Sequence, residues 1–252
     1  MLSEEKRVKA ISKFDRPMLD TPVTVRVIFQ KRGNLQFFSH LDLQRTWQRV
    51  LVRASIPMWY TQGFNPHSKV VFGVPLPVGS ESVCEMVDLR LDRKISCEEI
   101  RDQINAEVTD EMQVVDVYPA ETKYTDVAWA SYEITLKTPG LPSDKAAACD
   151  LIRSAFDPAR GPLTMMKKSK SGEKEVDILP MIRSLDVSFD EGDSICIKAM
   201  LAAGCQENLN AEYVIEALRT RLGILPKNAS PAASWYRILR TGFYCQDGTP
   251  FR

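Results

Sequence analysis

Two histidines, His40 and His67, are the only imidazoles in the 252-residue chain. Imidazole is the side chain suited to proton transfer near neutral pH. Two of them in one pocket could serve as base and acid on an RNA 2′-hydroxyl and its leaving oxygen. Between them stand Arg45, Arg49 and Arg53, each four residues from the next. On a helix that spacing makes a row with steps of about 6 Å, and guanidinium forks bind phosphate oxygens in bidentate fashion. Trp59, Tyr60 and Phe64 follow, with Asn65 and Lys69 in the same stretch. Such rings stack on unpaired bases. The combination motivates an RNA-binding surface made of Arg45, Arg49, Arg53, Lys69, Tyr60, Phe64 and Asn65. The plainer expectation is a solvated helix face, with Asp42 pairing to Arg45 or Arg49 and the rings packed in the core.

Other candidates carry less. His40 projects toward the apolar side of its helix, which suits a structural role. For His67, ligand contact and stapling of its own loop both stand open. Glu85 and Asp88 are three apart on a strand and must point to opposite faces, so they are not a paired-carboxylate site. Glu85 suits neutralisation of a buried cation. Lys167, Lys168 and Lys170 belong to a basic turn that either touches phosphates or is a solvated hairpin tip. Neither G-x-G-x-x-G nor G-x-x-x-x-G-K-[ST] occurs, so nucleotide binding by those loops is not expected. The six cysteines include no C-x-x-C pair, which leaves a zinc or iron–sulfur centre without support. No cofactor is expected.

The elements that position these residues follow from periodicity. Val23 to Phe29 alternates around Arg26 as a strand. Ser39 with Asp42 has the form of a capping box opening a helix. Leu43, Trp47, Val50, Leu51 and Ala54 form one face of that helix, with the arginines opposite, and Pro57 ends it near Ser55. Val70 to Val74 and Met86 to Leu91 read as strands, Ser96 caps a second helix, and Met112 to Tyr118 closes the unit. The order is β-α-β-β-α-β. After a linker over 119–127, strand, helix, hairpin and helix patterns repeat, with Asn210 as a cap and Gly223 as a stop. The fold class expected is α+β, as two tandem ferredoxin-like (βαββαβ-type) domains with antiparallel sheets. The boundaries expected are a flexible arm over 1–22, a first domain over 23–120 and a second over 128–252.

Composition agrees with a globular chain: 44% hydrophobic and 26% charged residues. No apolar run reaches membrane-spanning length and the N-terminus has no apolar signal core. The expectation is a cytoplasmic protein with reduced thiols and no membrane partner. Formal charge is zero overall but uneven: bases dominate the first 80 residues, whereas residues 81–130 hold five bases and thirteen acids, a net of −8. Such asymmetry suits an anionic partner for the first stretch, or mutual neutralisation within one fold.

The run Ser39-His40-Leu41-Asp42-Leu43, the helix arginines, Pro57, Gly63-Phe64-Asn65-Pro66-His67, Pro75-Leu76-Pro77-Val78-Gly79, Glu85 and Asp88 is similar to the signature of the radical-SAM-linked proteins, a bacterial family also called domain of unknown function 2344. The stretch Lys170 to Ile178 resembles that family's second half, which extends the resemblance from about Val23 to about Leu225. One departure is Ser68, where members often have proline. The resemblance gives Ser39, Asp42, Gly63, Pro66, Gly79 and Glu85 as motif positions of structural kind. It also implies partnership with a separate cobalamin-binding radical-SAM enzyme. The leading expectation is a non-catalytic RNA-binding accessory module, with transfer RNA one such substrate. The alternatives are a metal-independent endoribonuclease-like enzyme using His40 and His67, or a protein-docking scaffold for that partner.

Overall fold

The computed structural model describes residues 16–61, 63–169, 172–192, 194–228 and 230–252. The expected arm lies outside these up to residue 15. Its last residues do not form an arm. Arg16 is buried, its guanidinium bonded to Glu99 at 2.9 Å, and the first strand begins at Met18 rather than Val23. The chain divides into two compact units, residues 1–124 with Arg252, and residues 125–251. Both are mixed α and β.

The first unit runs β1 (Met18–Lys31), α1 (His40–Arg53), β2 (Val70–Phe72), β3 (Ser80–Arg93), α2 (Cys97–Asn105) and β4 (Val114–Pro119). β4 pairs with β1, β1 with β3 and β2 with β3, all antiparallel. Alternation sends Val25, Val27 and Phe29 of β1 and Val87, Leu89 and Leu91 of β3 into one core with Trp47 and Leu51 of α1 and Ile100 and Ile104 of α2. Each such side chain stabilises by about 1.5–3 kcal/mol through burial alone. Trp47 meets Phe29 edge-on at 4.8 Å, a favoured geometry for two quadrupoles. Asn105, the last residue of α2, clamps the start of β4. Its carboxamide accepts from Val114 N at 2.7 Å and donates to Val114 O at 3.0 Å.

The other face of the same strands holds a buried ionic cluster. Arg26 is fully buried and binds Asp88 through two nitrogens, at 2.8 and 3.0 Å. It also bonds Thr122 Oγ1 at 2.7 Å and lies over the Tyr124 ring at 4.4 Å. Tyr124 in turn donates its hydroxyl to Asp88 at 2.7 Å. The 119–127 stretch, read from sequence as a linker, therefore supplies two members of the cluster.

The second unit runs β5 (Trp129–Lys137), α3 (Lys145–Ser154), β6 (Thr164–Ser169), β7 (Gly172–Asp177), β8 (Ile182–Phe189), β9 (Ile195–Ala202), α4 (Glu212–Leu222) and β10 (Trp235–Tyr244). β10 pairs with β5, β5 with β9 and β9 with β8, all antiparallel, and β6 and β7 form a separate ribbon. With the ribbon set aside, the order of elements and the order of strands repeat those of the first unit. The N-cap of α4 is Ala211 rather than the expected Asn210 and makes no side-chain cap, although Asn210 Oδ1 accepts from Glu212 N at 3.1 Å just ahead of the helix. Gly223 ends it with a left-handed φ of 69°, which only glycine adopts without strain. No helix among the described residues is long and apolar enough to cross a membrane. All six cysteines are free thiols.

Burial, with the nearby Asp88 carboxylate, holds the Tyr124 phenol well above its ordinary pKa. The unfolded phenol ionises at about pH 10, as tyrosine ordinarily does. The folded phenol is still protonated there, so stability present below pH 10 is lost as pH rises beyond it. Tyr124→Phe should lower stability at neutral pH by about 1–2 kcal/mol and flatten the alkaline decline. Urea unfolding from pH 7 to 11 checks both, and a variant that declines as steeply as the parent contradicts the assignment.

Candidate functional site

The N-terminus of α1 is closed by a reciprocal cap. Ser39 Oγ accepts from Asp42 N at 3.2 Å, and Asp42 Oδ2 accepts from Ser39 N at 3.3 Å and from Ser39 Oγ at 2.6 Å. These bonds hold the Asp42 carboxyl below the usual carboxylate range, with Arg45 adding the smallest part. Asp42 is thus committed to the cap and forms no ion pair with Arg45 or Arg49. Both arginines are exposed and have no ion pair among the described residues. Arg53 differs. Its Nε lies 3.1 Å from Glu107 Oε2 and its Nη2 donates to Glu107 O at 2.7 Å. The row of three cations is therefore a row of two plus one neutralised member. Sequence spacing could not show this, because Glu107 is 54 residues away.

The aromatic loop is a small hairpin fastened to β3 at Arg90. Trp59 N donates to Arg90 O at 2.7 Å, and Arg90 N to Lys69 O at 3.3 Å. Tyr60 bridges Ser68. Thr61 N donates to His67 O at 3.0 Å, His67 N to Thr61 Oγ1 at 3.1 Å, and His67 Nδ1 lies 3.1 Å from Thr61 Oγ1 and 3.3 Å from Asn65 O. His67 is therefore the staple of its own loop. Gly63 has φ of 137°, a conformation strained for any other residue. Together these hold Phe64 out with a relative exposure of 112%. Tyr60, Asn65, Pro66 and Lys69 are exposed as well. Trp59 is not available for stacking in the same way, since the Arg90 guanidinium covers its ring at 4.5 Å.

His40 stands elsewhere. It is the first residue of α1, exposed, and edge-on to Phe72 at 5.4 Å. Phe72 pairs with Val87, whereas the His67 hairpin departs at Arg90. About 10 Å of strand separates the two anchor points at ~3.3 Å per residue, and His67 does not line the cleft that His40 lines. His40 instead lines a narrow cleft with Ser39, Lys31 and Glu85. Lys31 and Glu85 are both buried there. Lys31 was not legible as a site residue because Lys31-Arg32-Gly33-Asn34 reads as a surface turn. The signal was its parity with Val27 and Phe29, which puts it on the core face. Glu85 and Asp88 do fall on opposite faces, Glu85 toward the helices and Asp88 toward Arg26.

Of the remaining positions, Gly79 takes φ of 91° and donates N–H to Gln36 O at 2.9 Å. Lys167 Nζ donates to Asn208 O at 2.6 Å, so it is tied to its own unit. Lys170 and the Lys168 side chain lie outside the described residues. No cluster of metal-ligating side chains occurs among the described residues.

A family model described as an uncharacterized protein conserved in bacteria, domain of unknown function 2344, matches residues 24–211. No curated protein matches the chain. Among solved structures, the chain is similar to a candidate glycine cleavage system transcriptional repressor, at 7% identity over 87% of this chain and 98% of that one, with a TM-score of 0.22. It is also similar to DyPB from Rhodococcus jostii RHA1, at 12% identity over 88% and 94%, with a TM-score of 0.18. Neither likeness is close enough to bear on function.

The cap makes a direct prediction. Ser39→Ala removes the acceptor for Asp42 N and should destabilise the protein by about 1 kcal/mol. Because the folded Asp42 carboxyl is more acidic than the unfolded one, its contribution is present above the unfolded value and is lost as pH falls through the folded value. The gap between the two proteins in thermal melts should narrow from pH 7 to 2.5 as the bonds accepted by the Asp42 carboxylate are lost, and a constant gap would contradict the box.

Proposed function

The chain belongs to this family of bacterial proteins, domain of unknown function 2344, and from that premise we propose that it is a non-catalytic RNA-binding module acting beside a separate cobalamin-type radical-SAM enzyme in the cytoplasm. The observation that carries the RNA reading is Phe64, held wholly in water by a stapled hairpin, in the same unit as the two exposed arginines Arg45 and Arg49. A bare phenyl forgoes burial worth about 1.5–3 kcal/mol, which docking can recover. An unpaired base offers a flat apolar surface for it, and stacking of that kind is worth about 1–3 kcal/mol per base. Guanidinium groups without acidic partners supply the attraction for phosphates. The radical-SAM partnership rests on the family resemblance.

The repeated β-α-β-β-α-β order with the fourth strand beside the first supports reading both units as ferredoxin-like domains. Open antiparallel sheets with one helix-covered face leave loops at the sheet edge free to vary, and the Phe64 hairpin is one of these. Cleavage chemistry by paired histidines gains no support, because His67 is engaged in its loop and His40 stands apart.

Filter binding of single-stranded RNA against salt tests the reading. Arg45→Ala/Arg49→Ala should reduce the slope of log K against log salt by about 1.4, two phosphates at ~0.7 each. Phe64→Ala should lower affinity about 5- to 100-fold with the slope unchanged. Unaltered affinity and slope in all variants would defeat the proposal, and nuclease-resistant capture of a partner protein by the same surface would replace it with a scaffold role.

A further inference from the structure

The second unit holds a concavity of about 230 Å³ where α4 ends and β10 begins. Arg219, Leu225, Pro226, Lys227, Trp235 and Tyr236 line it, so its walls carry two cations and no acid. Arg219 is fixed in advance. Its Nε donates to Leu225 O at 2.8 Å and its Nη1 to Glu216 Oε2 at 3.3 Å. The guanidinium lies over the Tyr236 ring at 5.5 Å, and the Tyr236 hydroxyl is pinned to Glu212 at 3.0 Å. A guanidinium held this way loses little side-chain freedom when it grips an anion.

Three further features point to the same place. Lys227 Nζ lies 3.5 Å from the Glu216 oxygen that Arg219 also contacts, so both cations are gathered around one carboxylate and outnumber it. Leu225 has φ of 57°, a left-handed conformation disfavoured for a non-glycine residue. That conformation is retained while Leu225 O holds Arg219 and Leu225 N donates to Thr138 Oγ1 at 3.1 Å. Strain of this kind collects where a backbone group must be aimed. Trp235, the first residue of β10, is 37% exposed, and no described side chain stacks on its ring.

We propose that this concavity is a binding site for a small planar anion of the nucleoside monophosphate class. The phosphate oxygens meet the Arg219 guanidinium and Lys227 Nζ, and the base lies against Trp235. A phosphate monoester carries about −1.5 to −2 charges at neutral pH, which suits two cations better than a single carboxylate does. The space is below the ~300 Å³ at which pockets for drug-sized ligands begin, so it accommodates one nucleotide with its ribose toward the open side. The same chemistry is offered by a free nucleotide and by the 5′-phosphorylated end of an RNA. The site is independent of the first unit's RNA reading.

Isothermal titration of the full chain with AMP, adenosine and inorganic phosphate is the test. AMP should bind saturably, with adenosine and phosphate each weaker by about tenfold or more. Arg219→Lys, which keeps charge and loses the fork, and Trp235→Leu, at an exposed position, should each weaken AMP by about tenfold. Melting temperatures near that of the parent would show that both variants fold. If Arg219→Lys does not fold, Trp235→Leu decides alone. No AMP binding up to about 10 mM, phosphate binding as tightly as AMP, or unchanged AMP affinity in folded Trp235→Leu would each overturn the site. Competition with 5′-phosphorylated and 5′-hydroxyl oligonucleotides assigns its source. Displacement of AMP by the phosphorylated end alone identifies an RNA terminus, and failure of both to displace it identifies a free nucleotide.

Discussion

Arg26 and Asp88 face each other directly across β1 and β3, and the guanidinium between them has no exposure to water. A buried charge of this kind is tolerated only with its partner in place. Removing one member of such a pair costs about 3–5 kcal/mol, since the other is left uncompensated. The pair therefore pins the register of the central two strands. A slip by one residue would separate the charges and turn Val25, Val27, Val87 and Leu89 away from the helices. Thr122 and Tyr124 complete the shell, so the end of the first unit is anchored to its middle.

With that register set, the functional surface follows by parity and reach. β3 presents Leu89 and Leu91 to the core, and its Arg90 backbone fastens both arms of the Phe64 hairpin. α1 covers the core with Leu43, Trp47, Val50 and Leu51, which leaves its other side to water. The arginines on that side are not equal, however. Asp42 is taken up by Ser39, which leaves Arg45 and Arg49 without an acid, while the turn after α2 brings Glu107 to Arg53. The strongly acidic 81–130 stretch thus neutralises part of the basic first stretch and not all of it.

The two units share one order of elements and one order of strands, yet differ in what is attached. The second carries the β6–β7 ribbon between α3 and β8 and a cation-lined concavity where α4 ends. A scaffold of four antiparallel strands and two helices accepts such additions because loops at sheet edges and helix ends bear little of the core.

Local rules settled what lies within a turn or two of itself. The Ser39–Asp42 cap, the buried face of α1, the Gly223 limit of α4 and the opposed faces of Glu85 and Asp88 were legible from residue type and spacing, since they depend on the 3.6- and 2-residue periods of the backbone and on what ends a helix. Pairings between distant residues were not. That Arg53 meets Glu107, that Arg90 covers Trp59, that Lys31 is buried beside Glu85, that Arg16 is drawn onto Glu99, and that His40 and His67 stand apart were decided by tertiary structure. The physical reason is that charge–charge and cation–ring contacts form between whichever side chains the strand register brings within a few ångströms, and no sequence interval encodes that distance.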